Sequence, residues 1–343
     1  MGAGFGEPDM QKLIRALAAA TMAFVCLPAH AWLNCSFGTV PTLNFGTIDP
    51  LSGQLPTTSA TFTVSCTKGG GDIGNTANVC LYIGDGSAGN GNTYQPRRMQ
   101  AAASNYAGFQ INKDSNNQTF WGTYSPNGTP LRVSFPLTGR RGSATVTLYA
   151  QMVPYGGSTD LSNLVPGAYQ SNYDADHTYW ESTLTSWQTA DDYCNPKLYS
   201  DQSGRFPFIV QATVNKQCRI TETNTLDFGT VNDLSAAAAQ QVSTLKVQCT
   251  NQTPYRIGLD NGKQPLSGQR RMVMSTNPAE FVSYDLYRDA ARTQRWGNTA
   301  SIDTQPGTGS GQAQSYTIYG KVLAPQNPMA GTYNDTIQVL VTY

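Results

Sequence analysis

Arg205-Phe206-Pro207-Phe208-Ile209-Val210-Gln211-Ala212-Thr213-Val214 runs without a break into Asn215-Lys216-Gln217-Cys218. Phe206, Phe208, Val210, Ala212 and Val214 share one face of an extended chain, and Gln211 and Thr213 lie on the other. A period of two with one apolar face predicts a half-buried strand. This strand separates two stretches built on one pattern, which decides how the rest of the chain is read.

In the first stretch Cys35 is followed by Leu43-Asn44-Phe45-Gly46-Thr47-Ile48 and then by Cys66-Thr67. In the second, Cys218 is followed at the same spacing by Leu226-Asp227-Phe228-Gly229-Thr230-Val231 and then by Cys249-Thr250. The cysteines are 31 residues apart in both. Arg97-Arg98-Met99 matches Arg270-Arg271-Met272, Trp121-Gly122 matches Trp296-Gly297, and Thr145–Tyr149 matches Tyr316–Tyr319. Two copies of one fold are implied, over residues 32–214 and 215–343. Each reads as short β segments between Gly, Asn, Asp and Pro turns. In the second copy these are Thr244–Gln248, Tyr255–Leu259, Val282–Tyr287, Tyr316–Leu323 and Thr336–Thr342. The fold class expected is all-β, two immunoglobulin-like sandwiches.

Of the 343 residues, 13% are charged and the formal net charge is zero, with no basic stripe to neutralise phosphates. Nucleic acid is therefore excluded as a partner. Residues 1–31 read as a signal peptide. Lys12 and Arg15 precede the apolar run Leu17–Leu27, and Ala29-His30-Ala31 supplies an A-x-A cleavage site, so the mature chain begins at Trp32. Met10 is an alternative start. Removal of that segment takes Cys26 with it and leaves Cys35, Cys66, Cys80, Cys194, Cys218 and Cys249. An even number in an exported protein reads as three disulfides. The repeat pairs Cys35 with Cys66 and Cys218 with Cys249, leaving Cys80 for Cys194. No C-x-x-C is present, so zinc-ribbon and thioredoxin-like chemistry are not expected.

The second copy closes on the alternating strand Ile337–Tyr343, with no further strand to complete it, whereas the first is followed by 206–214. A sandwich lacking its last strand exposes unpaired backbone and an apolar groove, and strand addition from another chain is one way to fill it. The paired C-x30-C repeats, the doubled L-[ND]-F-G-T motif and the closing alternating strand resemble the spore coat protein U domain of archaic, Csu-type chaperone–usher pili. The two-copy layout resembles the tip adhesins of those pili.

The resemblance implies that Phe206, Phe208, Val210, Ala212 and Val214 act as a donor strand in cis for the first domain. It implies that the second domain accepts a donor strand from a neighbouring pilin subunit, after a periplasmic chaperone and an outer-membrane usher. It further implies export through the periplasm to an extracellular pilus tip, attachment to an abiotic or host surface, and biofilm formation. No cofactor is implied.

The first copy is about fifty residues longer than the second, mostly after Gly167-Ala168-Tyr169, which matches Gly331-Thr332-Tyr333. The extra region holds Tyr179, Trp180, Leu184, Trp187, Tyr193, Leu198 and Tyr199, expected to present an apolar surface. A second candidate is the loop with Leu161, Leu164 and Val165, and a third is Leu131–Leu137. The same aromatics would suit a secreted lectin, the alternative reading. An enzyme is disfavoured: His177 is the one histidine after cleavage, Ser182 and Ser186 lack a G-x-S-x-G frame, and Asp174, Asp176, Glu181, Asp191 and Asp192 read as solvated acids of one loop.

Overall fold

A computed structural model describes residues 33–89, 96–123, 128–174, 176–186 and 202–343, with Met1 and Cys194. Beyond Met1 the targeting segment lies outside these residues, as do Trp187, Tyr193, Leu198 and Tyr199. The described chain is all-β apart from one short 3-10 turn at Ala102–Ser104.

The N-terminal half contains two sheets. The larger has the order β1 (Leu33–Phe37), β3 (Thr57–Lys68), β8 (Arg141–Val153), β6 (Tyr106–Asn112), β5 (Arg97–Gln100), β9 (Gly167–Tyr173), β12 (Phe208–Val214) and β2 (Leu43–Ile48). The smaller has the order β11 (Gln202–Gly204), β10 (Thr178–Thr185), β4 (Thr76–Ile83) and β7 (Leu131–Pro136). Alternation sets the faces: Phe62, Val64 and Cys66 of β3 turn inward, while Thr61 and Thr63 turn to solvent.

The C-terminal half repeats the plan with fewer strands. Its larger sheet has the order β13 (Cys218–Thr223), β14 (Gln240–Cys249), β19 (Ala313–Val322), β17 (Phe281–Tyr287), β16 (Arg270–Met274) and β20 (Tyr333–Asn334). Its smaller sheet has the order β18 (Gln305–Thr308), β15 (Pro254–Leu259) and β21 (Val339–Thr342). Each half has its own apolar core.

The duplication extends to single hydrogen bonds. Arg97 is fully buried, and its guanidinium donates to the carbonyls of Ile83 (2.9 Å), Gly84 (2.7 Å) and Trp121 (2.6 Å) and to Gln110 Oε1 (2.7 Å). Arg270 does the same with Leu259 (2.8 Å), Asp260 (2.8 Å), Trp296 (2.7 Å) and Asp285 Oδ1 (2.6 Å). Trp121 Nε1 donates to the Leu81 carbonyl at 2.8 Å and Trp296 Nε1 to that of Ile257 at 2.9 Å. These pairs tie one sheet of each sandwich to the other.

The disulfides join Cys35–Cys66, Cys80–Cys194 and Cys218–Cys249. The two repeated bonds link residues directly opposite in one sheet, β1 to β3 and β13 to β14, with Cα atoms 4.1 Å apart. In the first copy the bond staples the first strand to the third, because the L-N-F-G-T strand β2 between the cysteines lies at the far edge of the sheet; in the second it joins the consecutive strands β13 and β14.

Candidate strand-accepting groove and loop surface

β12 lies between β9, to which it is antiparallel, and β2, to which it is parallel. Phe208, Val210, Ala212 and Val214 are 5, 0, 3 and 2% exposed, and Phe206, just before the strand, 1%. Phe208 stacks on Tyr173 with ring centroids 4.5 Å apart, and Phe206 stacks against Phe37 and Phe62. Pro207 precedes the first paired residue, where its missing N–H costs no ladder bond. The five alternating residues thus fill one continuous groove.

The L-[ND]-F-G-T motif forms the groove's other wall. Asn44 Oδ1 accepts from Gly46 N at 2.8 Å, and Gly46 takes a φ of +70°. Asp227 Oδ1 and Gly229 repeat this at 2.8 Å with a φ of +66°. The Asx turn and the left-handed glycine make a bulge, visible as the register shift between Gln211 and Thr213 on β12. The bulge lets Leu43, Phe45 and Ile48 all face inward.

In the C-terminal half the corresponding place is open. Among the described residues the larger sheet ends at β20, 226–231 forms no strand, and no strand takes the place that β12 has in the first copy. Leu43, Phe45, Met99, Leu148 and Tyr169 are buried, whereas their counterparts Leu226, Phe228, Met272, Ile318 and Tyr333 are only partly so. Val231 is 37% exposed where Ile48 is 2%. The motif is the same on both sides of the duplication; only the partner strand differs.

Several candidate surface residues are placed elsewhere by the structure. Trp180 and Leu184 are buried and Tyr179 is half-buried, all on β10. β10 is the counterpart of β21, since Trp180 pairs with Leu81 and Val341 with Ile257. These residues are therefore shared framework, not insertion. Trp180 packs on Phe37 at 4.9 Å, and Tyr179 lies against Tyr82 and under Arg205.

The loop with Leu161, Leu164 and Val165 is also not an outer tip. Leu161 and Leu164 are 3 and 2% exposed, Val165 is half-buried, and the loop faces the C-terminal half. Gln312 Nε2 donates to Ser162 Oγ, and Asn251 Nδ2 to the Asn163 carbonyl, both at 2.8 Å. In the third candidate, Phe135 and Leu137 are buried, and Leu131 and Val133 pack on the core.

The end away from this junction is reached along β8, whose thirteen residues span roughly 40 Å. There the loop between β3 and β4 carries Ile73, 92% exposed, beside the turn at 138–140. Sequence reading passed over Ile73 because a lone aliphatic among glycines gives no periodicity. The outer face of β4 and β10 nearby holds Cys80, joined to Cys194, and Glu181. Glu181 is buried, not a loop acid. Burial raises its pKa above the ordinary value, and the hydroxyl of Tyr82, which donates to its carboxylate, opposes that shift. Asp174 lies 3.9 Å from His177, which also approaches Asp85 at 3.5 Å. No group of three or more His, Cys, Asp or Glu side chains among the described residues is placed to hold a metal ion.

The family model of the spore coat protein U domain matches residues 20–175 and again 205–340. The chain belongs to this family. Protein U of Myxococcus xanthus is 33% identical over 129 residues, covering 35% of this chain and 72% of that protein. Among solved structures, the chain is similar to a CsuC–CsuE chaperone–tip adhesion subunit complex from archaic chaperone-usher Csu pili of Acinetobacter baumannii. That match is 20% identical with a TM-score of 0.47 and covers 90% of this chain and 100% of the other. It is also similar to the CupB6 tip adhesin of Pseudomonas aeruginosa, at 11% identity and a TM-score of 0.38, covering 91 and 95% of the two chains. The two spore coat protein U matches divide where β12 begins to approach, so the strand that closes the first copy falls within the second match.

Proposed function

We propose that this chain is a non-enzymatic, exported adhesive subunit of a chaperone–usher pilus, carried at the tip. The observation behind this reading is the contrast between two grooves of one design, one filled by the chain's own β12 and one open. β12 acts as the donor strand in cis for the domain of residues 32–214. The domain of residues 215–343 receives the donor strand of a neighbouring pilin, and a periplasmic chaperone covers the same groove before the usher-directed exchange. An open groove with partly exposed Leu226, Phe228 and Tyr333 is unfavourable in water and favours such an occupant.

Attachment belongs to the end opposite the junction. Exposed Ile73 belongs to the apolar surface that meets an abiotic or host surface and supports biofilm formation; Trp187, Tyr193, Leu198 and Tyr199, which the sequence assigns to the same role, lie outside the described residues.

Two measurements test this. Thermal unfolding of the full chain, with and without a synthetic alternating apolar peptide, should show the C-terminal transition alone moving up; no shift would remove the basis for the pilus reading. Binding of the full chain to a hydrophobic surface should be lost in mild detergent and insensitive to free sugars. Inhibition by a sugar would replace hydrophobic adhesion by a lectin.

A further inference from the structure

The end of the first copy away from the junction carries a cleft of about 460 Å³ on the outer face of β1 and β3. Asn34 and Ser36 of β1 stand directly opposite Thr67 and Ser65 of β3. All four turn away from the core because Leu33, Cys35, Val64 and Cys66 turn into it. None of these four side chains is engaged in a hydrogen bond among the described residues.

Lys68 and Arg140 complete the lining. The Lys68 N–H donates to the Arg140 carbonyl at 2.9 Å, and Arg140 Nε to the Lys68 carbonyl at 3.2 Å, so their two loops are held together. Lys68 Nζ donates to the carbonyls of Asp72 (3.2 Å) and Gly74 (2.5 Å), which leaves it one N–H. The terminal nitrogens of Arg140 have no acceptor among the described residues and reach over Gly70, where a Cβ would stand 3.8 Å from Nη1. Arg141 is exposed and stands directly opposite Thr67. No carboxylate among the described residues forms an ion pair with any of the three cations. Asp72, the acid of the same loop, meets Lys68 through its backbone carbonyl. That loop also carries Ile73, so the cleft flanks the exposed end.

The second copy uses the same place differently. The paired cysteines make Gln217 the counterpart of Asn34, and Asn251 that of Lys68. The registers of β3 with β8 and of β14 with β19 make Ser310 and Gly311 the counterparts of Arg140 and Arg141. These positions seat the first copy: Gln217 donates to Asp49, Asn251 donates to the Asn163 carbonyl, and Gly311 comes against the backbone of Ser162. Two neutral amides and a glycine make that contact. A sandwich seated in the same way on the first copy would meet the side chain of Arg141 and three uncompensated charges. The first copy has a cationic cleft where the second has a docking surface.

We infer that this cleft binds an anionic polysaccharide. A carboxylate or phosphate carried on a sugar is held by the terminal nitrogens of Arg140, by Lys68 and by Arg141, whose charges it compensates. The hydroxyls of Ser36, Ser65 and Thr67 and the amide of Asn34 both donate and accept, as sugar hydroxyls do, and hydrogen-bond the rest of the ring. A neutral glycan would leave the cations uncompensated, and a bare inorganic anion would leave the polar face unused. The strand-accepting groove takes no part, so the site is independent of the pilus reading.

The test uses the full chain with its disulfides intact, in mild detergent to suppress hydrophobic adhesion. Polygalacturonate supplies carboxylates, a poly(ribitol phosphate) teichoic acid supplies phosphates, and dextran is the neutral control. At least one polyanion should bind, dextran should not, and binding should weaken as salt rises. Binding of one polyanion alone would identify the charged group. Arg140→Gln with Arg141→Gln should weaken binding about tenfold or more. Arg219→Gln with Arg256→Gln removes the same charge from the second copy and should leave binding unchanged. Binding of dextran as tight as that of the polyanions, equal affinities of the two double variants, or no binding of either polyanion would overturn the anion site. Without detergent, the Arg140 and Arg141 double variant should adhere to a hydrophobic surface as the unaltered chain does, so failure of the anion site and failure of the adhesive reading are told apart.

Discussion

At the scale of single residues, the most demanding side chains are the buried arginines that each copy repeats. Arg270 donates to three backbone carbonyls, and its charge is matched by Asp285, which also accepts from Arg295 at 2.9 Å. A lysine has the charge but not the planar fork. Arg270→Lys therefore leaves buried carbonyls unsatisfied, and should destabilise the C-terminal half by about 3–5 kcal/mol. Hydrogen exchange of β15 and β16 reports it; unchanged protection would mean that water replaces the guanidinium. Glu181 makes a different prediction. Its pKa is raised by burial, so the folded chain holds the proton more tightly than the unfolded chain. That contribution is complete below the unfolded value, near 4.5, and is lost as pH rises through the folded one. Glu181→Gln keeps an acceptor for Tyr82 without the titration. The melting temperature of the unaltered chain should fall more between pH 4 and 8 than that of the variant, and parallel curves would refute it.

At the scale of the element, β12 shows what a complementing strand contributes. Phe208→Ala removes a buried ring and its stack on Tyr173, and should cost about 3–5 kcal/mol. Because each half has its own core, the loss should appear in hydrogen exchange of β9 and β2 and spare β14 and β19. A loss spread over both halves would show that the cores are coupled. β12 was legible in the sequence because its inward face is uninterrupted. The cysteine pairing was legible because the repeat carries it. β10 was not legible as the counterpart of β21. Buried Ser182 sits on the inner face of β10 and buried Glu181 on its outer face, so the alternation that is plain in β21 is lost. With that correspondence hidden, Trp180 and Leu184 read as insertion when they are core. The L-[ND]-F-G-T motif was visible as a repeat, but its meaning, an Asx turn closing a bulge at a left-handed glycine, needed the backbone.

At the scale of the whole molecule, the two halves are joined by more than the three residues between β12 and β13. Thr250 is fully buried; its N–H donates to the Gln217 carbonyl at 2.9 Å, and its hydroxyl accepts from Gln217 N at 3.2 Å. Gln217 also donates to Asp49, at the end of β2. On the other side of the joint the 161–166 loop rests on the turn between β18 and β19. The closest approach there is Gly311, at a φ of +78°: a Cβ on it would stand 1.9 Å from the Ser162 carbonyl oxygen. A side chain at that position is excluded twice, by the backbone conformation and by the contact. Gly311→Val must therefore push the loop and the turn apart, breaking the hydrogen bonds from Gln312 and Asn251, while the covalent link and the Thr250 bonds remain. The expected result is a chain whose halves stay folded but swing about the short linker. Solution scattering should then show a broader distribution of interatomic distances than for the unaltered chain, with the hydrogen exchange of β8 and β14 unchanged. An identical scattering profile would mean that the linker alone fixes the angle between the halves. A load applied to the end that carries Ile73 would then pass through β12 and its hydrogen bonds to β9 and β2, with no share taken by the loop.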